Sequence, residues 1–241
     1  MLSFFFFYLP YWWVVIPGAL LAMWAQFRLS STYSEYSQIG TARGYTGAET
    51  ARQILDRNGL SSVGIEEVGG RLTDHYDPTK HTVFLSTDIY RGNSVAAVGV
   101  AAHEVGHALQ HKEAYGPLGL RMALVSVTGI ASTMSQVVLI AGLFLSSMKG
   151  LLGLGSVFMW GGIGLFSLVA FFQLVTLPVE YDASSRAKVQ LGRLGIVSDQ
   201  ELGGVQNVLN AAALTYVAAL ATTSLELLKW ILIARSRDNN R

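Results

Sequence analysis

Between Arg121 and Glu180 the chain carries one charged side chain, Lys149. The uncharged runs on either side of it, residues 122–148 and 150–179, are each long enough to cross a hydrocarbon core of about 30 Å. No ordinary soluble domain accommodates two such runs back to back, and the short link at Lys149-Gly150 predicts an antiparallel helix pair. Gly142, Gly153, Gly155, Gly161 and Gly162 offer places for close helix contact. The rest of the composition agrees with a membrane setting: 51% hydrophobic, 14% charged, mean hydropathy +0.39. A net charge of +1 without a basic run argues against a nucleic-acid partner.

Two further segments read as spans. Residues 4–27 carry no charge, and an aromatic block of Phe4 to Phe7, Tyr8, Tyr11, Trp12 and Trp13 suits a membrane interface. The run is too long for a signal peptide and lacks both a positive start and a clear cleavage site, so it reads as a retained anchor. Pro10 and Pro17 should kink it or confine its straight part to the second half. Residues 209–234 form the fourth candidate, interrupted by Asn210, Glu226 and Lys229. Glu226 and Lys229, three apart on a helix, are expected to pair or to reach the interface.

From Arg28 to Arg121 the composition changes, with nine of the 17 basic and ten of the 16 acidic residues. This is the expected water-exposed domain. Thr46 followed by Glu49, with Gly59 beyond, predicts a capped amphipathic helix over residues 46–58. Residues 68–74 and 81–86, flanking the turn signal Asp77-Pro78-Thr79-Lys80, predict a small β-hairpin.

The chemistry lies in Ala102-His103-Glu104-Val105-Gly106-His107-Ala108, a match to H-E-x-x-H. With five His and nine Glu in 241 residues, a shuffled chain would show such a match about four times in a thousand. The preceding small apolar residues, with Asn93 or Ser94 as cap, place the motif inside a buried helix. His103 and His107 then share a face and can hold one zinc ion. Glu104 lies beside that face, where it can activate water as a general base without being a ligand.

With no cysteine in the chain, the remaining ligand has to be a histidine or a carboxylate. His75 and His81 flank a turn and read as solvated. His111 is two helical turns from His103, about 12 Å along the axis and too far to share its ion. The longer pattern that adds a third histidine also fails, because Gln110 and Glu113 stand where it needs glycine and histidine. After the paired spans the chain should return to the side it left, and the first charges it meets are Glu180 and Asp182. Either is a candidate.

At Leu177-Pro178-Val179-Glu180-Tyr181-Asp182-Ala183-Ser184 the sequence resembles the membrane zinc peptidases with a glutamate ligand, the group of the CAAX prenyl endopeptidases and HtpX. Those pair H-E-x-x-H with a later E-x-x-A-D. It is most similar to the YugP-like neutral zinc metallopeptidases, and the resemblance covers most of the chain in hydropathy layout, while these two motifs carry its chemical identity. It implies His103, His107 and Glu180 as zinc ligands and Glu104 as the catalytic base. One position departs from the wider pattern: Ser184 stands where an aspartate would steady a ligand histidine.

The expected fold is therefore mainly α, a polytopic helical membrane protein of about four transmembrane helices with a small α+β, zincin-like extramembrane domain. Its parts are an anchor (1–27), the domain carrying the motif (28–121), a transmembrane pair (122–179), a helix with the third ligand and a connector (180–208), and a fourth span with a basic tail (209–241). Arg28, Arg43, Lys112, Arg121, Arg186, Lys188 and Arg193 near span ends favour a cytoplasmic active site. Lys149, Arg235, Arg237 and Arg241 pull the other way. The expected function is a zinc metalloendopeptidase of the membrane acting on peptides or proteins, membrane proteins among them. The competing class is a non-catalytic scaffold with a structural zinc. The sequence sets no oligomeric state.

Overall fold

The computed structural model describes residues 10–239. The aromatic block from Phe4 to Tyr8 and Arg241 of the basic tail lie outside the described residues. Among the described residues, four helices are long and apolar enough to cross a membrane: Trp12–Tyr36, Gly116–Leu145, Leu152–Arg193 and Asp199–Asp238. With a three-stranded sheet as the only sheet among the described residues, the protein is mainly α and polytopic.

The elements follow in order. A 3-10 turn at Trp12–Val15 leads into α1 (Ile16–Tyr36), then come α2 (Gly47–Arg57), β1 (Gly64–Val68), β2 (His75–Asp77) and β3 (Thr82–Ser86). They are followed by α3 (Thr87–Arg91), α4 (Val95–Lys112), α5 (Gly116–Leu145), α6 (Leu152–Arg193) and α7 (Asp199–Asp238). Pro17 sits in the first turn of α1, where its missing N–H has no intrahelical partner to lose. It stands at the start of the helix, whose regular part begins at Ile16 and so lies in the second half of the 4–27 run, the second of the two expected effects. The charge at Arg28 ends the apolar stretch but not the helix, since nothing from Arg28 to Tyr36 breaks it.

Chain contacts divide the protein into two compact units. The first comprises Met1–Trp24, Leu120–Thr176 and Tyr216–Arg241. Its core is Leu139, Met159, Ile163, Trp230, Ile233 and Ala234. Here α5 and α6 approach through glycine: a Cβ on Gly142 would fall 2.7 Å from the Met159 nitrogen, and one on Gly155 2.5 Å from that of Ser146. Gly162 does the same against Leu139, whereas Gly153 and Gly161 meet nothing within 4 Å and contribute no packing. Only three of the five expected contact glycines therefore serve that purpose. Outward-facing Val125, Ile130, Val137, Ile140, Phe144 and Val157 are exposed, as suits side chains that face lipid and not water. Glu226 pairs with Lys229, whose ammonium also lies 4.9 Å from the Trp230 ring.

The second unit comprises Ala25–Gly119 and Leu177–Thr215. Its sheet has the order β1-β3-β2, with β3 parallel to β1 and antiparallel to β2. The expected hairpin is thus half right. The turn at Asp77 joins two antiparallel strands, but the first arm is His75–Asp77 and not residues 68–74. Gly69, Gly70 and Leu72 instead form an exposed loop in which Gly70 and Leu72 take positive φ. The strand missed in sequence, β1, carries exposed Glu66 and Glu67, which spoil its apolar alternation. Central β3 is the buried strand, with Val83 and Leu85 at 0% exposure against α4 and α2. Helix α2 begins with the capping box foreseen at Thr46: Thr46 Oγ1 accepts from Glu49 N (3.2 Å), and Glu49 Oε2 accepts from Thr46 N (2.8 Å). An analogous box opens α7, where Glu201 Oε2 accepts from Ser198 N (2.7 Å) and Ser198 Oγ accepts from Glu201 N (3.3 Å).

Candidate metal centre

Helix α4 begins at Ser94, whose hydroxyl accepts from Ala97 N (3.1 Å), so of the two cap candidates it is the serine that acts. The helix is then buried almost throughout: Ala96, Ala97, Ala101, Ala102 and Ala108 are at most 1% exposed. Small side chains let neighbouring elements come close. The closest approach is at Gly106, where an added Cβ would lie 2.5 Å from the carbonyl oxygen of Ala183 and 3.1 Å from its carbon. Only glycine permits this approach of backbone to backbone, and it sets Glu180, about one turn before Ala183, and Ser184, the residue after it, against the histidine face of α4.

The two motif histidines and Glu180 converge. Glu180 Oε2 lies 3.2 Å from His103 Nε2 and 3.7 Å from His107 Nε2, and the imidazole rings stand at 84° with centroids 4.9 Å apart. Each of the three residues offers one ligand atom, and these atoms all lie within 4.8 Å of one another. Zinc ligated at about 2.0–2.1 Å in a tetrahedron holds its ligand atoms about 3.3 Å apart. The Glu180 distances fall on either side of that edge length, and a donor set of two imidazoles and a carboxylate is one that zinc takes. The residues fit the ion.

Glu180 is not the residue near a helix start that Pro178 would suggest. Helix α6 runs unbroken through the proline to Arg193, and Glu180 is 2% exposed. Glu104 is also buried, at 8% exposure. Burial holds its carboxyl above the usual carboxylate range; the imidazoles of His103 and His107 draw it back, while Glu180 and Asp74 push it further up. For His107, burial disfavours the charged ring, but the Glu180 and Glu104 carboxylates outweigh it and the pKa is raised.

The other histidines stay apart from this group. His75 and His81 are exposed, as their turn positions suggested; His75 Nδ1 lies 2.9 Å from Thr73 O, and its ring stacks on Phe84. His111 Nδ1 is 3.0 Å from the Tyr76 hydroxyl and its ring 5.4 Å from that of His81.

Three further residues support the site: Ser184 and Asp182, both marked in the sequence for other parts, and Gln110, whose part was not legible there. Ser184 Oγ lies 3.1 Å from His103 Nδ1, so the serine in the aspartate position still reaches the ring. Gln110 Oε1 lies 3.0 Å from His107 Nδ1. Asp182, the other candidate ligand, is not in the group that could hold the ion but reaches the site through Gln110. Its Oδ2 accepts from Gln110 Nε2 at 2.8 Å and is held in turn by Arg186, which also binds Glu113. The available signal was the three-residue spacing of Gln110 from His107, which puts both on one helix face.

The chain matches the family described as "Putative neutral zinc metallopeptidase" over residues 11–235. It is 49% identical over 228 residues to "Putative membrane protease YugP" of Bacillus subtilis (strain 168), an alignment covering 94% of this chain and 98% of that protein. No solved structure matches it. A family match across nearly the whole length and a relative close to half identical agree with the geometry: the chain belongs to the neutral zinc metallopeptidase family, with zinc as its cofactor and a membrane as its setting.

Proposed function

We propose that the protein is a multi-pass membrane endopeptidase in which His103, His107 and Glu180 hold zinc and Glu104 is the general base. The observation that carries this is the approach of a single carboxylate oxygen, Glu180 Oε2, to the Nε2 atoms of both motif histidines. Bound zinc supplies a Lewis acid that polarises a peptide carbonyl and lowers the pKa of water. Glu104 takes the proton of that water on its carboxylate as the water oxygen adds to the carbonyl carbon. It then delivers the proton to the amide nitrogen as the C–N bond breaks, releasing a carboxylic acid and an amine, which ionise in water. A carboxyl held above the usual range by burial suits both halves of this exchange, since it accepts a proton more readily than an exposed glutamate. The substrates are peptides or proteins, membrane proteins among them. The basic residues near the span ends, Arg28, Arg43, Lys112, Arg121, Arg186, Lys188 and Arg193, support a cytoplasmic location for the site.

The test separates binding from chemistry. Glu104→Gln keeps zinc and loses cleavage of a casein-type substrate, whereas His103→Ala loses both. Equal cleavage by wild type and Glu104→Gln would contradict the reading and return the protein to the scaffold class.

A further inference from the structure

The side-chain amide of Gln110 is 0% exposed, and everything around it fixes which way it faces. Two acceptors, the Val179 carbonyl and Asp182 Oδ2, each lie 2.8 Å from one end. That end must be the NH2, because an oxygen there would face two other oxygens without a proton between them. The carbonyl end is therefore turned to His107 Nδ1 at 3.0 Å, and it can only accept. The ring must carry a hydrogen on Nδ1, so that in its neutral, metal-binding form the lone pair is on Nε2, on the side of Glu180.

The chain of contacts continues outward. Asp182 Oδ2, which receives the amide, also receives Arg186 Nε, and Arg186 Nη1 donates to Glu113 Oε2 at 2.6 Å. Arg186 closes on the ring of Tyr115, 5.9 Å from its centroid, at the end of the loop that follows α4. Ser184 beside His103 is different. Its hydroxyl both donates and accepts, so at 3.1 Å from Nδ1 it orients that ring without dictating where the proton sits.

We propose that Gln110 is the positioning residue of the zinc site: through an amide relay from Arg186 and Asp182 it fixes the tautomer and orientation of His107. In this chain the relay takes the part that a carboxylate bonded directly to a ligand histidine plays elsewhere. The inference rests on the zinc-ligand set proposed above. It assigns two distinct supports to the two histidines: a fixed-polarity amide for His107 and an adaptable hydroxyl for His103.

The experiment uses the full chain in detergent, with zinc affinity from chelator competition, the visible spectrum of the cobalt(II)-substituted form, and the thermal midpoint of the metal-free chain. Gln110→Met keeps the volume and removes the acceptor; zinc affinity falls 10- to 100-fold and the cobalt spectrum changes. Gln110→Glu keeps an oxygen facing Nδ1, and its buried carboxyl can hold a proton for Asp182; it retains affinity within a few-fold of wild type and keeps the cobalt spectrum. The metal-free midpoint reports any folding defect separately, and the cobalt bands are a signature that loss of packing alone does not move. Wild-type affinity in Gln110→Met overturns the inference, and so does an equal loss in Gln110→Met and Gln110→Glu. If those variants match wild type while His107→Ala releases zinc, the ligand set stands and the relay alone is wrong. A wild-type chain that holds no zinc overturns both.

Discussion

Replacing Gly106 by alanine probes the contact that brings the third proposed ligand to the motif helix. In an ordinary helix interior the change gains about 1 kcal/mol, because glycine is the poorer helix former. At Gly106 the new Cβ meets the Ala183 carbonyl oxygen at 2.5 Å, and reaching an ordinary contact of 3.4 Å requires the two backbones to separate by about 0.9 Å. Overpacking of this kind costs about 1–3 kcal/mol, so the net effect is a loss of about 0–2 kcal/mol despite the propensity gain. The consequence for zinc is larger. Glu180 is carried on the same backbone as Ala183, and its Oε2 stands 3.2 and 3.7 Å from the two Nε2 atoms. Ligand distances tolerate about 0.2 Å, so a shift several times larger should lower zinc affinity by more than tenfold. Gly203→Ala is the control: it lies in α7 with nothing within 4 Å of an added Cβ, and should stabilise by about 1 kcal/mol with zinc binding unchanged. Thermal unfolding of the metal-free chain and chelator competition read both quantities. If Gly106→Ala is as stable and as zinc-competent as Gly203→Ala, the close approach does not position Glu180.

Two further outcomes follow from the second unit. Thr46→Ala removes one half of the α2 capping box and should cost about 1 kcal/mol, read from thermal unfolding; an unchanged midpoint would mean that the cap is redundant. Asp74 has its pKa raised above 3.8 by burial, even though Ser86 N and Oγ donate to its carboxylate. The folded state therefore holds this proton more tightly than the unfolded one, and the Asp74 contribution is present below pH 3.8 and lost as pH rises through the folded value. Asp74→Asn, which keeps an acceptor but cannot ionise, should gain stability relative to wild type as pH is raised from 3.5 to 7. A difference that stays flat or shrinks over that range contradicts the sign.

What could be read in advance depended on how local each signal was. His103, Glu104 and His107 lie within one and a half helical turns, so spacing alone put them on neighbouring faces. Thr46 with Glu49 was legible for the same reason, as was the pairing of Glu226 with Lys229. Glu180 was one of two carboxylates until the resemblance singled it out, because its partners His103 and His107 are 77 and 73 residues away in sequence. Pro178 marks no helix boundary before Glu180: membrane helices tolerate proline, and α6 continues through it. The parallel pairing of β1 with β3 was hidden because it joins strands that are not consecutive, and because Glu66 and Glu67 break the apolar pattern of β1. Gln110 carried no motif at all. Its part depends on Val179 and Asp182, which reach it only once α6 is packed against α4 at Gly106.

Zinc content of the purified full chain, measured after a chelator wash for wild type, His103→Ala and Glu180→Ala, tests the convergence of the three proposed ligands most directly. One zinc per wild-type chain, with little retained by either variant, is the expected result. Full retention by Glu180→Ala, or none in wild type, would contradict it.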